Sequence, residues 1–218
     1  NAFVPFGGDR RKARIITECN SYVQAREVYI GTQRGNGSGV ILNKDYILTA
    51  KHVVQQDPTV TIGVNAPYIN TELERLETDR RVAEFYSAKV VYVSKTNDFA
   101  LVENPLKTRI PTNFNMSGDS GPLCSVGNPG PMFVSANPVF LGIARWVSPV
   151  PDLDYDDYLL VEGRGVSPGF SGSGLFNQDD ELVGIINFCA FNDLICGGEP
   201  LGKILKELHD NNVKYARE

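Results

Sequence analysis

The sequence contains two histidines, and one of them, His52, has surroundings that suit nucleophilic catalysis. His52 follows an apolar stretch within GSGVILNKDYILTAKHVV. Asp98 opens a second apolar stretch, NDFALV, and Ser171 lies in a glycine-rich segment, SPGFSGSG. A serine hydroxyl is a weak nucleophile at neutral pH, so it needs a base, and the base needs an acid that orients it. One histidine, one aspartate at the start of a strand and one serine flanked by glycines, in this order, meet that requirement.

The glycines around Ser171 suit the same chemistry. Gly169, Gly172 and Gly174 allow the backbone to turn sharply and to expose its amide N–H groups. Acyl transfer develops an oxyanion that needs preorganised donors, and a Gly-x-Ser turn can supply two of them from the backbone. Nothing in this set of residues calls for a metal ion or another cofactor, so we predict none.

The elements that would position these residues are short strands. Apolar or alternating runs, separated by Gly, Pro, Asn and Asp, recur along the chain, which is typical of all-β barrels and sandwiches. The predicted strands cover residues 27–33, 38–42, 46–50, 60–64, 88–94, 99–103, 123–126, 133–134, 140–147, 158–162, 174–176 and 182–188. They form two groups of six, joined near residues 104–121.

This division predicts a first unit, 1–110, that carries the histidine and the aspartate, and a second unit, 111–218, that carries the serine. Residues 199–212 follow a different pattern, with apolar residues at helical spacing after Pro200. They predict one amphipathic C-terminal helix, with His209 on its solvated side.

Composition narrows the function classes. The 218 residues carry a formal net charge of −5, and 42% of them are hydrophobic and 22% charged. These proportions are those of a globular protein with a sizeable core, and they exclude wholesale disorder. Non-specific nucleic-acid binding needs clustered positive charge, which a mildly acidic chain does not favour. The long uncharged stretch 120–144 contains prolines and glycines that a lipid-exposed helix would not tolerate, so we predict no membrane insertion and no nucleic-acid partner.

The four cysteines are Cys19, Cys124, Cys189 and Cys196. They are too few for a disulfide scaffold and lack the spacing of a zinc site. Cys189 and Cys196 could close a short loop, but free buried thiols are the interpretation we favour. The cysteines do not settle the compartment: a secreted or extracytoplasmic location is favoured, and a viral or phage origin stays open.

Taken together, the motifs resemble the trypsin-like serine proteases of the chymotrypsin fold. The resemblance rests on GSGVILNKDYILTAKHVV, NDFALV, VGNPG and SPGFSGSGLFN followed by ELVGI, within residues 27–208. It is strongest with the HtrA-type branch, in which a GSG strand, a His-Val-Val segment, an Asp-aliphatic strand and a Pro-Gly-x-Ser-Gly loop recur in that order. We expect a member of this branch without the PDZ domain that HtrA-type proteases normally carry.

The resemblance implies two six-stranded antiparallel β-barrels, a C-terminal helix and an active site in the cleft between the barrels. His52 would be the general base, Asp98 its orienting acid and Ser171 the nucleophile. The backbone N–H groups of Gly169 and Ser171 would form the oxyanion hole. Phe170 replaces the aspartate that zymogen-type trypsins carry before the nucleophile, so activation by a freed N-terminus is not expected.

A second serine, Ser120, lies in GDSGP, which at first sight resembles the nucleophile loop of trypsin more closely. It follows Asp98 by only 22 residues, which leaves no room for the second-barrel strands that normally precede the nucleophile, whereas Ser171 follows by 73. GDS followed by VGNPG also resembles the interbarrel connection of HtrA-type proteases. We therefore predict that Ser171, and not Ser120, is the nucleophile.

The resemblance also assigns a primary substrate pocket. One wall would contain Gly165, Val166 and Ser167. The strand that pairs with an extended peptide would contain Asn187, Phe188 and Cys189. No acidic residue lies at the expected pocket base, so small or medium apolar residues are favoured before the scissile bond. Asp193, in a loop that the sequence does not place, would admit basic residues if it turned toward the pocket mouth.

The sequence thus predicts a serine endopeptidase that acts on protein or peptide substrates through an acyl-enzyme. One alternative is a viral or phage-type processing protease that cuts its own precursor. Another is a catalytically silent protease-fold protein used for binding. The complete triad and Gly169 count against the silent protein, because a binding protein has no need of them. The sequence does not indicate an oligomeric state.

Overall fold

The computed structural model describes residues 19–65, 82–106, 112–115, 121–146, 155–190 and 195–215. β-Strands dominate this part of the chain, in agreement with the predicted all-β class. Two helices of four residues each, α1 (Ser21–Gln24) and α2 (Lys51–Val54), were not predicted. No helix among these residues is long and apolar enough to cross a bilayer.

Six strands of the first half close into a barrel, which confirms the first predicted barrel. In chain order they are β1 (Glu27–Thr32), β2 (Gly35–Ile41), β3 (Tyr46–Thr49), β4 (Thr59–Asn65), β5 (Val82–Val93) and β6 (Ala100–Glu103). Around the barrel their order is β1-β2-β3-β6-β5-β4, and neighbouring strands are antiparallel. Alternate residues of each strand, such as Val28 and Ile30, point into a buried apolar interior.

The described residues of the second half form eight strands. They are β7 (Asn113–Phe114), β8 (Ser125–Gly130), β9 (Met132–Ala136), β10 (Val139–Trp146), β11 (Tyr155–Glu162), β12 (Gly174–Phe176), β13 (Glu181–Ala190) and β14 (Ile195–Pro200). Five of them form a sheet in the order β10-β11-β14-β13-β12, and β7 lies parallel to β13. The hairpin β8-β9 stands apart as a two-stranded sheet.

The described strands of this half do not close into the second six-stranded barrel that was predicted. Two isolated bridges, Pro122 to Val139 and Cys124 to Phe176, link the segment before β8 to both edges of the sheet.

The C-terminal helix α3 (Leu201–Asp210) confirms the helix predicted over residues 199–212. Four residues of its apolar face are buried: Leu201, Ile204, Leu205 and Leu208. They belong to a hydrophobic cluster that also contains Leu48 of the barrel and Ile185 of the second sheet. The helix therefore packs into a core that both halves share, while His209 is exposed as predicted.

Strand β14 was missed because its sequence, ICGGEP, contains two adjacent glycines, which are depleted in strands. The close approach of Phe188 explains one of them. A Cβ atom on Gly197 would overlap the aromatic ring of Phe188 on the neighbouring strand. Tertiary packing, and not local propensity, makes this segment a strand.

All four cysteines form disulfides, so the expectation of free thiols is wrong. Cys189 and Cys196 face each other across β13 and β14, and the antiparallel register places their side chains side by side. Cys19 and Cys124 join the segment before α1 to the segment before β8. The second pair connects residues 105 positions apart, which no spacing argument could have found.

Candidate active site

His52 and Asp98 meet at one end of the barrel because β3 and β6 are neighbours. The antiparallel pairing of these strands sets Thr49 opposite Ala100. His52 lies three residues beyond Thr49, at the start of α2, and Asp98 lies two residues before Ala100. The Nδ1 atom of His52 is 2.8 Å from Oδ2 of Asp98, and the backbone N–H of His52 donates to Oδ1 at 3.0 Å. One carboxylate thus fixes both the ring and the backbone of His52.

This pairing defines the chemistry of the imidazole. The hydrogen bond with Asp98 raises the pKa of His52; partial burial works against that, and the negative charge of Asp98 adds to it. Because Nδ1 faces the carboxylate, the tautomer with a proton on Nδ1 leaves Nε2 as the acceptor. The side chain of His52 is 49% exposed and that of Asp98 13% exposed, so the imidazole can be reached from solvent.

Ser171 lies in the Ser171 loop (residues 167–173), which begins with a tight turn. Pro168 and Gly169 are its central residues, and the N–H of Phe170 donates to the carbonyl of Ser167 at 3.2 Å. Gly169 has a φ of 102°, which suits the third position of a type II turn. A Cβ atom there would overlap the carbonyl oxygen of Asn128, so only glycine fits.

The fold brings Ser171 close to the helix that carries His52. A Cβ atom built on Gly37 of β2 would lie 2.7 Å from the side chain of Val53 and 3.1 Å from the carbonyl oxygen of Ser171. Val53 is the residue after His52. The helix α2 and the Ser171 loop therefore flank the same point of the barrel.

The hydroxyl of Ser171 donates to the carbonyl oxygen of Asn187 on β13 at 3.3 Å. Within the described residues this is the hydrogen bond that the hydroxyl makes, and none joins it to His52. The hydrogen bonds of nucleophile and base are often loose without substrate, and rotation about the Cα–Cβ bond redirects a serine hydroxyl. The amide N–H groups of Gly169 and Ser171 donate to nothing in the described part of the chain, so both are free for a ligand.

The first barrel holds the Ser171 loop through Ser38 of β2. The N–H of Ser38 donates to the carbonyl of Ser171 at 2.9 Å, and its hydroxyl donates to the carbonyl of Gly169 at 2.7 Å. The same hydroxyl accepts from the N–H of Asn128 at 2.9 Å, and the carbonyl of Ser38 accepts from Thr49 at 2.7 Å. Ser38 and Asn128 are fully buried, so these bonds are shielded from water.

Ser38 lies in the GSG motif and Asn128 in the VGNPG motif, and no role was predicted for either residue. Their partners are distant in sequence, which is why the role was missed. The order of the motifs could have indicated that these two segments lie near the nucleophile. It could not have indicated which of their atoms form hydrogen bonds with the Ser171 loop.

Glu27 supports the Ser171 loop at its C-terminal end. It is fully buried on β1 and accepts from the N–H of Gly174 at 3.1 Å. Burial raises the pKa of Glu27 well above its usual value, which favours the neutral carboxylic acid. Ser173 adds a bond from its hydroxyl to the carbonyl of Phe170 at 2.7 Å. Neither role could be predicted from the sequence.

The second half of the molecule holds the backbone of Asp98. The side-chain amide of Asn187 donates to the carbonyl of Asp98 at 2.9 Å. Glu199 accepts from the N–H of Asp98 at 3.4 Å and pairs with Lys203 of α3 at 3.3 Å. Burial raises the pKa of Glu199, and the charge of Lys203 opposes that rise. Asn187 therefore contacts two candidate site residues, since its carbonyl also binds Ser171.

A cavity of about 200 Å³ opens beside Ser171. Its lining residues are Val166, Ser167, Pro168, Gly169, Phe170, Ser171, Ile186, Phe188 and Cys189. None of them carries a formal charge. The ring of Phe188 packs against Gly197 and is tilted onto Tyr158, at 5.7 Å between ring centroids.

The structure places four of the six predicted pocket residues in the cavity wall: Val166, Ser167, Phe188 and Cys189. Gly165 is exposed outside the lining, and Asn187 turns its side chain to Asp98 instead. Ser120 and Asp193 lie outside the described residues, so what was predicted of them stays a prediction. Among the described residues no group of three or more His, Cys, Asp or Glu side chains could hold a metal ion.

Comparison with known families finds the trypsin-like peptidase domain, which matches residues 37–185, more than half of the chain. None of the curated proteins matches the sequence.

Solved structures give the same fold. The Rv3671c protease from M. tuberculosis, in its active form, has a TM-score of 0.69 and 18% identity, over 87% of this chain and 82% of that one. The HtrA-type protease AlgW with tripeptide has a TM-score of 0.67 and 19% identity, over 89% of this chain and 62% of that one. The human pathogenic astrovirus serine protease has a TM-score of 0.58 and 17% identity, over 84% of this chain and 92% of that one. The predicted resemblance to trypsin-like proteases, the HtrA-type among them, is confirmed.

Proposed function

Because the chain belongs to the trypsin-like peptidase family and is a serine endopeptidase, we propose that His52, Asp98 and Ser171 are its catalytic triad and that it cleaves peptide bonds through an acyl-enzyme. The observation that carries the proposal is the double contact of Asp98 with the ring and the backbone of His52, next to the Ser171 loop. A catalytically silent binding protein would have no use for this arrangement.

In the first step, Nε2 of His52 takes the proton of the Ser171 hydroxyl as Oγ attacks the substrate carbonyl. The negative charge that develops on the carbonyl oxygen is stabilised by the free N–H groups of Gly169 and Ser171. The imidazolium then gives its proton to the leaving amine, and the acyl group stays on Ser171. A water molecule, deprotonated by His52, hydrolyses the ester and restores the serine. The carboxylate of Asp98 accepts from the ring of His52 and stabilises the imidazolium.

For specificity, we propose that small or medium apolar side chains are preferred before the scissile bond. The uncharged lining of the cavity supports this, because a cationic or anionic side chain would lose its hydration there without a counter-ion. An apolar side chain has no such penalty and gains roughly 25 cal/mol per Å² of buried surface.

The substrate backbone would pair with residues 187–189 of β13. Strand β12 pairs with β13 only as far as Ile185, so among the described strands one side of Phe188 and Cys189 has no ladder partner beyond that point. An extended peptide can add there as a further strand.

The two disulfides bear on location. Disulfides form and persist in oxidising compartments, so we infer an extracytoplasmic site of action.

Labelling with a fluorophosphonate tests the triad without knowledge of the substrate. We expect the native chain and the Ser120→Ala variant to be labelled, and Ser171→Ala to stay unlabelled. A label mapped to Ser120 would show that the nucleophile is misassigned.

A peptide-library digest read by mass spectrometry tests the specificity separately. We expect cleavage after Val, Ala, Leu or Ile well ahead of charged residues. Dominant cleavage after Arg or Lys would contradict the apolar pocket, and Asp193→Asn would then show whether that residue is the cause.

A further inference from the structure

The Asp98 turn (residues 94–99) lies at the end of the barrel next to helix α3. A backbone bond from the N–H of Ser94 to the carbonyl of Phe99, at 3.1 Å, closes it. The buried hydroxyl of Ser94 accepts from the N–H of Asn97 at 2.8 Å and from that of Thr96 at 3.3 Å. Asp98 is therefore held in a compact turn whose shape fixes where its carboxylate points.

Glu207 of α3 accepts hydrogen bonds from four side chains in or next to this turn. The donors are Tyr92 (2.6 Å), Ser94 (2.7 Å), Asn97 (2.7 Å) and Thr96 (3.1 Å). Burial raises the pKa of Glu207, but the four bonds outweigh it and the pKa is lower than usual. Burial and the bond with Glu207 raise the pKa of Tyr92 to about 12, so this phenol remains a donor.

The contacts of Glu207 differ from the exposed ion pair on the same helix. Lys206 and Asp210 form an exposed pair within α3, at 2.7 Å, and contribute little to the fold. Glu207 instead reaches across to a turn that lies about 110 residues earlier in the chain. Four donors converge on this one carboxylate, and together they tie the turn to the helix.

We propose that Glu207 is a positioning residue of the protease, which fixes the Asp98 turn and through it the orientation of His52. This inference rests on the proposed triad. Glu207 touches no reacting atom, and its effect reaches His52 only through the two bonds that Asp98 makes. If the turn shifts, both bonds lengthen, the imidazole loses its orientation, and the raised pKa of His52 falls back.

The test compares Glu207→Gln with two variants on the same helix. Glu207→Gln keeps the size of the side chain and removes the charge that accepts four bonds. Lys206→Ala breaks the exposed pair, and Ile204→Val removes one buried methylene group and so lowers stability without removing a hydrogen bond of the turn. All three are assayed with one peptide substrate across the pH range, together with thermal unfolding.

We expect Glu207→Gln to lower kcat by about 10-fold, as misplacement far from the chemistry can do, with KM little changed. The acidic limb of its pH profile, where the rate rises with pH as His52 loses its proton, should shift to lower pH. Lys206→Ala and Ile204→Val should leave both unchanged. In an Asp98→Ala background, Glu207→Gln should cause no further loss, because it acts through Asp98.

Loss of thermal stability with unchanged kcat and pH profile would show that Glu207 is merely structural and overturn the proposal. A further loss of activity in the Asp98→Ala background would overturn it as well. If Asp98→Ala itself left activity intact, the triad and not Glu207 would be the failed assignment.

Discussion

The Ser171 loop and the Asp98 turn are held in opposite ways. The loop belongs to the second half of the molecule and is held by Ser38 of the first barrel. The turn belongs to the first barrel and is held by Asn187 and Glu207 of the second half. Each half thus positions a residue of the proposed triad that the other half carries, so neither half has a complete candidate site of its own.

The chemistry of the two supports also differs. Hydroxyl and amide groups support the loop, and the one carboxyl group there, Glu27, has a raised pKa that favours its neutral form. The turn is supported by two carboxyl groups: Glu199, whose pKa is raised by burial, and Glu207, which accepts four side-chain bonds and has a lowered pKa that favours its charged form. The hydroxyl and amide groups do not titrate near neutral pH, and the raised pKa of Glu27 gives a contribution to stability that is complete below the ordinary glutamate pKa and is lost as the pH rises through the raised value. The contribution of Glu207 has the opposite sign: it is present above the ordinary glutamate pKa and is lost as the pH falls through the lowered value. The two regions should therefore respond differently to acid.

The largest effect is expected from variants that remove the proposed nucleophile or the proposed base. Ser171→Ala and His52→Ala should each reduce kcat by about 10⁶-fold, and the double variant should be scarcely worse, because the residues act as one unit. Single-turnover kinetics with a peptide ester measures the three losses. Multiplication of the two single losses in the double variant would show that these residues act independently.

A smaller effect should follow from breaking the loop alone. Gly169→Ala forces a Cβ atom against the carbonyl of Asn128 and moves one of the two free N–H groups, so kcat should fall by about 10²–10³-fold. Gly130→Ala is the matched control, because a Cβ atom there meets open space. Equal activities of the two variants would remove Gly169 from the oxyanion hole.

Ser38→Ala sharpens the comparison of the two supports. It leaves the carbonyl of Gly169 and the N–H of Asn128 without a buried partner, so the free energy of unfolding should fall by about 1–3 kcal/mol. We expect kcat to fall while the pH profile stays in place, in contrast to Glu207→Gln. Ser87→Ala, at an exposed position of β5, serves as control. A shifted profile in Ser38→Ala would erase the distinction between the neutral and the charged support.

The smallest effect concerns pH and belongs to the Asp98 side. Since the bond with Asp98 raises the pKa of His52 despite partial burial, the rate should rise with pH through a value above 6.5. Stability should move the other way: the contribution of the pair is complete below the unfolded-state pKa and is lost as the pH rises through the folded-state value. NMR titration of His52 and thermal unfolding at several pH values measure the two trends, and His52→Ala should flatten the second.

How much the sequence alone predicts depends on whether the signal is local. The strand 174–176 was predicted with its observed bounds, and the terminal helix within two residues at each end, because apolar spacing fixes both. Strand β14 was not predicted because its two glycines are unfavourable in strands. The need for glycine at position 197 comes from the ring of Phe188, a contact that the sequence does not show. The second barrel was expected from resemblance and is an open sheet in the described residues.

The candidate site shows the same limit. The three residues of the proposed triad could be predicted because the chain has only two histidines and because the order of the motifs is informative. The residues that position them could not, since Ser38 lies 131 positions from Gly169 and Glu207 lies 110 from Asn97. Hydroxyl and carboxyl groups are common on protein surfaces, and only the fold shows that these ones converge.

The disulfide between Cys19 and Cys124 turns the first barrel into a closed covalent ring. His52 and Asp98 lie inside this ring and Ser171 lies outside it. One cut in the backbone anywhere between the two cysteines opens the ring but divides nothing, since both pieces stay attached through sulfur. A nicked molecule would therefore keep the mass of the intact chain plus one water, and run as two fragments on a gel only after reduction. Proteolytic damage within the first barrel therefore escapes a gel or a size-exclusion column that is run without a reductant.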